Sequence, residues 1–155
     1  MKLKELKENY ENLAKKYSLP DFDELNENFE IGKINRDNGI LLRTIRKVIM
    51  EKIVSSLGFV EMLLNPVNAP RMYQSYIRSI DLEDKKRIDK IYLSFADLSM
   101  GSLECEIDYS EKNEAELIKK IVAAWNEIKP DFRDIFAKIR KPNSVSAKKD
   151  KSYWG

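Results

Sequence analysis

The chain of 155 residues contains no histidine, and Cys105 is its single cysteine. Histidine is the most frequent general acid–base group near neutral pH and the most frequent metal ligand in proteins. Its absence excludes Ser-His-Asp and Cys-His catalytic groups, Cys/His zinc sites, and the di-iron sites that helical bundles build on Glu-x-x-His motifs. The composition therefore predicts a non-enzymatic protein that holds no metal and needs no cofactor.

Signals for export and for membrane insertion are also missing from the sequence. One cysteine cannot form an intramolecular disulfide, and the N-terminus has no apolar segment of signal-peptide type. The most apolar run, from Ile53 to Leu64, is too short to span a bilayer and includes Glu61. Cys105 lies between Glu104 and Glu106, whose charges would raise its pKa, so it is expected to be a buried structural thiol. These features predict a cytoplasmic protein that does not enter a membrane.

Apolar residues recur at spacings of three and four along most of the chain, which is the pattern of amphipathic helices. The segment from about Ile40 to Leu64 is apolar around most of its circumference, as is typical of a helix at the centre of a bundle. The last apolar stripe keeps its phase through Pro130, which predicts one kinked helix rather than two. We therefore expect an all-α domain over residues 1–140, a compact bundle of five or six helices.

The segment from Leu103 to Tyr109 leaves two interpretations open. Its strict alternation of apolar and polar residues fits a strand, and Gly101 just before it could end the preceding helix. A single strand in a helical protein would lack a pairing partner unless residues 29–31 or another chain supplied one. A helical or irregular continuation is therefore favoured slightly over a strand.

Charge is segregated along the sequence. Residues 1–34 carry a net charge of −2, residues 35–80 of +4, residues 81–116 of −6 and residues 117–155 of +6, within a total of +2. The simplest interpretation is that acidic and basic helices neutralise each other across the bundle surface. The alternative is a basic face that meets nucleic acid or an acidic protein.

Two segments could form such a face. Arg43, Arg46 and Lys47 stand at i, i+3 and i+4 of one helix, so their charged groups are expected to share a surface patch. Residues 141–155 have no apolar periodicity and are predicted to form a flexible basic tail that ends in aromatic residues. The candidate partner-binding residues are therefore Arg43, Arg46, Lys47, Arg140, Lys141, Lys148, Lys149, Lys151, Tyr153 and Trp154.

The function that this pattern favours is a small binding or adaptor protein that acts through its surface and its tail on a protein partner or assembly. The first alternative is a factor that binds RNA or the ribosome through the basic face and the tail. The second is a helical nucleotide hydrolase that holds Mg²⁺ with paired carboxylates, since pairs such as Glu24/Glu27 and Glu111/Glu114 have the required spacing. The short apolar seam of the first helix favours packing within a monomer over pairing with a second copy.

Overall fold

The computed structural model describes residues 2–35 and 39–141. Within these residues the chain forms six α-helices and no strand, which confirms the all-α prediction. The helices are α1 (Leu3–Tyr17), α2 (Phe22–Phe29), α3 (Leu41–Leu64), α4 (Arg71–Arg78), α5 (Leu82–Ile107) and α6 (Glu111–Arg140). Short 3₁₀ turns at Ile31–Lys33 and Pro66–Asn68 follow α2 and α3.

The three longest helices form the centre of the bundle. Helices α3, α5 and α6 each pack against the other two, and α3 also contacts α2. Their buried apolar side chains belong to one continuous core, to which α1 and α2 contribute from one side. The predicted central position of the apolar helix is therefore confirmed for α3. Helix α4 buries none of its residues and contacts α6.

The start of α5 lies beside the end of α6. Asp81 and Asp84 form a capping box, in which the Asp81 side chain accepts a hydrogen bond from the Asp84 backbone at 2.8 Å. Such a cap satisfies backbone N–H groups that have no partner within the helix. Lys138, in the last turn of α6, forms ion pairs with both aspartates. These contacts hold the C-terminal end of α6 against the first turn of α5.

The segment from Leu103 to Tyr109 is mostly helical, since α5 continues to Ile107, and the favoured interpretation is confirmed. The expectation that Gly101 could end the preceding helix is wrong, because it lies inside α5. A Cβ at this position would lie 3.2 Å from a methyl carbon of Leu117. Glycine is therefore placed where α5 and α6 approach each other closely.

Helix α6 runs without interruption from Glu111 to Arg140 with Pro130 in its interior, which confirms that one helix passes through the proline. The apolar stripe remains in phase on both sides of Pro130, and Trp125, Phe132 and Ile139 all face the core. This continuous packing favours one helix despite the hydrogen bond that proline removes.

Candidate functional site

Arg46 lies inside the bundle, and the prediction that it belongs to a surface patch is wrong. Its side chain is only 1% exposed, and its guanidinium forms an ion pair with Glu114, which is 0% exposed. The same guanidinium donates hydrogen bonds to Ser102 and to Glu106, both at 2.7 Å. Since Arg46 belongs to α3, Glu106 to α5 and Glu114 to α6, this network joins the three central helices.

Arg43 and Lys47 lie at the edge of the same network. Arg43 donates a hydrogen bond to Glu106 at 2.7 Å, and its guanidinium carbon lies 5.8 Å from the centre of the Tyr109 ring. The Lys47 ammonium lies 3.6 Å from the Glu106 carboxylate and is more exposed. The predicted basic cluster is therefore neutralised largely by carboxylates of its own chain. Its role in binding a partner stays a prediction.

The other predicted residues lie at the C-terminal end. Arg140 is exposed in the last turn of α6, and Lys141 is the exposed C-cap residue. Lys148, Lys149, Lys151, Tyr153 and Trp154 lie outside the described residues. Cys105 is buried and its thiol pKa is raised, as predicted, but the main causes are burial and then the charge of Glu114, ahead of Glu104 and Glu106.

The Glu106 carboxylate makes the stability of the bundle dependent on pH. Hydrogen bonds from Arg46 and then from Arg43 lower its pKa from 4.5 to about 2. A carboxylate with a lowered folded-state pKa stabilises the fold above its unfolded-state pKa, and this contribution is lost as the pH falls through the folded-state value. In urea unfolding measured between about pH 5 and pH 2, Glu106→Gln should flatten the decline in the free energy of unfolding.

Glu104→Gln is the matched control for this measurement, because Glu104 lies two residues earlier in α5, is exposed and forms no ion pair with a described residue. It should leave the slope of stability against pH unchanged. Equal slopes for the Glu106 and Glu104 variants would contradict the assignment of the pH dependence to the arginine-bound carboxylate.

Helix α5 carries a second row of apolar residues on the face opposite the core. Its inner face includes the buried residues Phe95 and Leu98, whereas the outer row is solvent-exposed. We call the outer row the outer stripe; it consists of Leu93, Ala96, Met100, Leu103 and Ile107. Its four large side chains are 58–79% exposed, and its spacing of three and four residues matches the a and d positions of a heptad. A helix that is apolar on two opposite faces can bury one face in the core and the other against a second neighbour.

Acidic side chains accompany the outer stripe. Residues 91–110 contain four acidic residues and no lysine or arginine. Three of the four, which we call the acidic row, are Asp97, Glu104 and Asp108; they are exposed and form no ion pair with any residue in 2–35 or 39–141. Glu104 and Asp108 also line a cleft of about 490 Å³ between α5 and α6, together with Glu116 and Lys120. Sequence reasoning missed this surface, although the heptad spacing and the lack of cations in residues 91–110 were visible.

An open groove of about 370 Å³ lies between α3 and α6. We call it the aromatic groove; its lining includes Phe59, Trp125, Lys129, Phe132, Arg133 and Phe136. The rings pack on one another, with centroid separations of 5.3 Å between Phe59 and Phe136 and 5.8 Å between Phe132 and Phe136. The Trp125 indole N–H is buried and has no hydrogen-bond acceptor among the described residues. Buried donors of this kind usually have a partner, so a residue that lines the groove carries an unsatisfied polar group.

Within residues 2–35 and 39–141, no group of three or more acidic or cysteine side chains is arranged to hold a metal ion. None of the described helices has the length and apolar character needed to cross a membrane. The chain matches no family model, no curated protein and no solved structure. A functional proposal must therefore rest on the surfaces of the molecule itself.

Proposed function

We propose that the chain is a non-enzymatic adaptor that binds a basic amphipathic helix of a protein partner on the outer face of α5. The observation that carries this proposal is the outer stripe, four large apolar side chains exposed in one row on the side of α5 away from the core. Contiguous exposed apolar surface in a folded domain typically marks an interaction site. This row lies on a long helix whose opposite face is buried in the core.

The geometry of the stripe fits a helical ligand. From Leu93 to Ile107 the row extends about 21 Å along the helix axis at 1.5 Å per residue. A partner helix with apolar residues at heptad spacing can place its side chains between those of the stripe along this whole length. Irregular segments would match such a regular row at fewer points. A helix is therefore the favoured form of the ligand.

The acidic row indicates the charge of the partner. Asp97, Glu104 and Asp108 flank the stripe and form no ion pair with a described residue. Lys120 is the cation of the cleft that Glu104 and Asp108 line. Lysines or arginines beside the apolar face of a partner helix would pair with them, and acidic residues there would be repelled. Charge complementarity of this type selects the partner and its orientation more than it adds affinity.

The C-terminal tail with Lys148, Lys149, Lys151, Tyr153 and Trp154 stays a predicted second contact of the adaptor. The structure weakens the support for the nucleic-acid alternative, because Arg46 is buried and Arg43 pairs with Glu106. Lys47, Arg140 and Lys141 remain exposed, and with the tail they stay the predicted residues of such an interface. The cytoplasm remains the proposed location of the adaptor.

Two synthetic helical peptides test the proposal. Both carry Leu and Ile at heptad a and d positions, and their flanking positions are Lys in one peptide and Glu in the other. The Lys peptide should bind the full chain in fluorescence anisotropy, and the Glu peptide should bind at least about tenfold more weakly, a difference of about 1.4 kcal/mol. Leu103→Lys should weaken binding of the Lys peptide by a similar factor.

Leu3→Lys is the matched control, since Leu3 and Leu103 are both 58% exposed but lie on different helices. It should leave the affinity unchanged. Equal binding of the two peptides, or equal effects of the two variants, would refute the proposal. Sedimentation of the full chain distinguishes the remaining occupant: a dimer that Leu103→Lys dissociates would assign the outer stripe to a second copy and would overturn the adaptor function.

A further inference from the structure

We propose that the aromatic groove between α3 and α6 binds a small amphipathic anion, consisting of an apolar chain or ring that bears one carboxylate head. This site is separate from the outer face of α5 and does not depend on the adaptor function. The proposal rests on the pairing of an apolar interior with unneutralised cations at the same groove. Small-molecule sites typically combine these two elements.

The rings of the groove provide a surface for the apolar part of the ligand. Phe132 stacks on Phe136 at an interplanar angle of 16°, and Phe59 closes the same wall from α3. Phe136 is 42% exposed although it continues the aromatic cluster of the core. An apolar chain laid against these rings would remove this surface from water, which favours binding.

The cations of the groove indicate the charge of the head. Arg133 is exposed and forms no ion pair or hydrogen bond with a described residue, while Lys129, one helical turn earlier, donates a hydrogen bond to the Asn28 side chain at 2.7 Å. The described lining contains no carboxylate. The Arg133 guanidinium can bind a carboxylate through two parallel hydrogen bonds.

Two further observations agree with an anionic ligand. The pKa of Lys52, whose ammonium lies 4.8 Å from the centre of the Trp125 ring, is lowered by burial and then by the charge of Lys129. Lys52 lines a different cleft, and Lys129 lines the groove, so the two lysines place positive charge near this tryptophan. In addition, the buried indole N–H of Trp125 lacks an acceptor among the described residues, and a ligand oxygen that displaces the side chains covering it would supply one.

Tryptophan fluorescence tests the proposal directly. The chain has two tryptophans, so in a Trp154→Phe chain the signal comes from Trp125 alone. Dodecanoate, dodecanol and dodecyltrimethylammonium, each titrated below its micelle-forming concentration, share one apolar chain and differ in the charge of the head. Dodecanoate should change the fluorescence saturably and bind roughly tenfold more tightly than dodecanol, and the cation should bind most weakly.

Charge reversal locates the head. Arg133→Glu should weaken dodecanoate binding by roughly tenfold or more, whereas Lys120→Glu, an exposed cation elsewhere on α6, should leave it unchanged. Phe136→Ala should weaken dodecanoate and dodecanol alike, because it removes part of the apolar wall. Equal binding of the three probes, an unchanged affinity in Arg133→Glu, or no saturable response would refute the proposal. Binding to phosphatidylglycerol vesicles without a response to monomeric dodecanoate would also overturn it and would assign the groove to a membrane surface.

Discussion

Glu114→Gln should lower the free energy of unfolding by about 3–5 kcal/mol, because it leaves the Arg46 guanidinium buried without its charged partner. Both side chains are almost fully enclosed, at 1% and 0% exposure. A charge in such a position is stabilised only by its partner and its hydrogen bonds. Urea denaturation at neutral pH measures the change, and glutamine keeps the volume of the side chain so that loss of charge is the main perturbation.

Glu116→Gln controls for the substitution itself, since Glu116 lies on the same helix and forms an exposed pair with Lys119. It should change the stability by no more than about 0.5 kcal/mol. The double variant Arg46→Met with Glu114→Leu should recover most of the lost stability, because apolar replacements of buried ion pairs are often neutral or stabilising. A small effect of Glu114→Gln, comparable to that of Glu116→Gln, would mean that the Arg46 pair is hydrated in solution.

Phe95→Ala should lower the free energy of unfolding by about 3–5 kcal/mol, since it removes a buried aromatic ring from the inner face of α5. Phe95 is fully buried and its ring lies 6.3 Å from that of Trp125 and 6.0 Å from that of Phe132, measured between centroids. The cavity left by alanine would lie between α5 and the Trp125 and Phe132 rings of α6. Thermal or urea unfolding of the purified chain measures the loss.

Leu103→Ala on the outer stripe is the informative counterpart of Phe95→Ala. Leu103 is 58% exposed, so its truncation should change the stability by no more than about 0.5 kcal/mol. The contrast between the two faces of α5 is what the adaptor proposal requires, because a surface reserved for a partner contributes little to the isolated fold. A loss of several kcal/mol at Leu103 would show that the outer stripe is already covered in the free protein, and would count against partner binding there.

The positions of the helices were the most predictable feature of this structure, because the spacing of apolar residues that predicts a helix lies within the helix itself. The apolar spacing of α3 and α6 specifies the face that each helix buries, and packing on both sides of Pro130 then favours continuity. The cap at Asp81 is also local, since it depends on Asp84, three positions away in the sequence. The reason for a glycine at position 101 is not local, because the space for a Cβ there is limited by Leu117 of α6.

Arg46 shows why the site was less predictable than the fold. Its spacing from Arg43 and Lys47 indicated a basic patch, but its spacing from Leu42, Ile49 and Ile53 places it equally well on the buried stripe of α3. A buried arginine needs a carboxylate partner, and Glu114 is 68 residues away in the sequence. No local pattern connects the two. The outer stripe was missed for a different reason, since periodicity identifies apolar rows without showing which of two opposite rows meets the core.

Pro130 has a consequence for the local opening of α6. Proline has no amide hydrogen, so the carbonyl group of Asn126 lacks its usual helical hydrogen bond, and the residues after Pro130 can unfold without breaking the hydrogen bonds before Asn126. The aromatic groove spans this point, with Trp125 before the proline and Phe132, Arg133 and Phe136 after it. Fraying from the C-terminal end would therefore move one wall of the groove while its tryptophan stays anchored in the core.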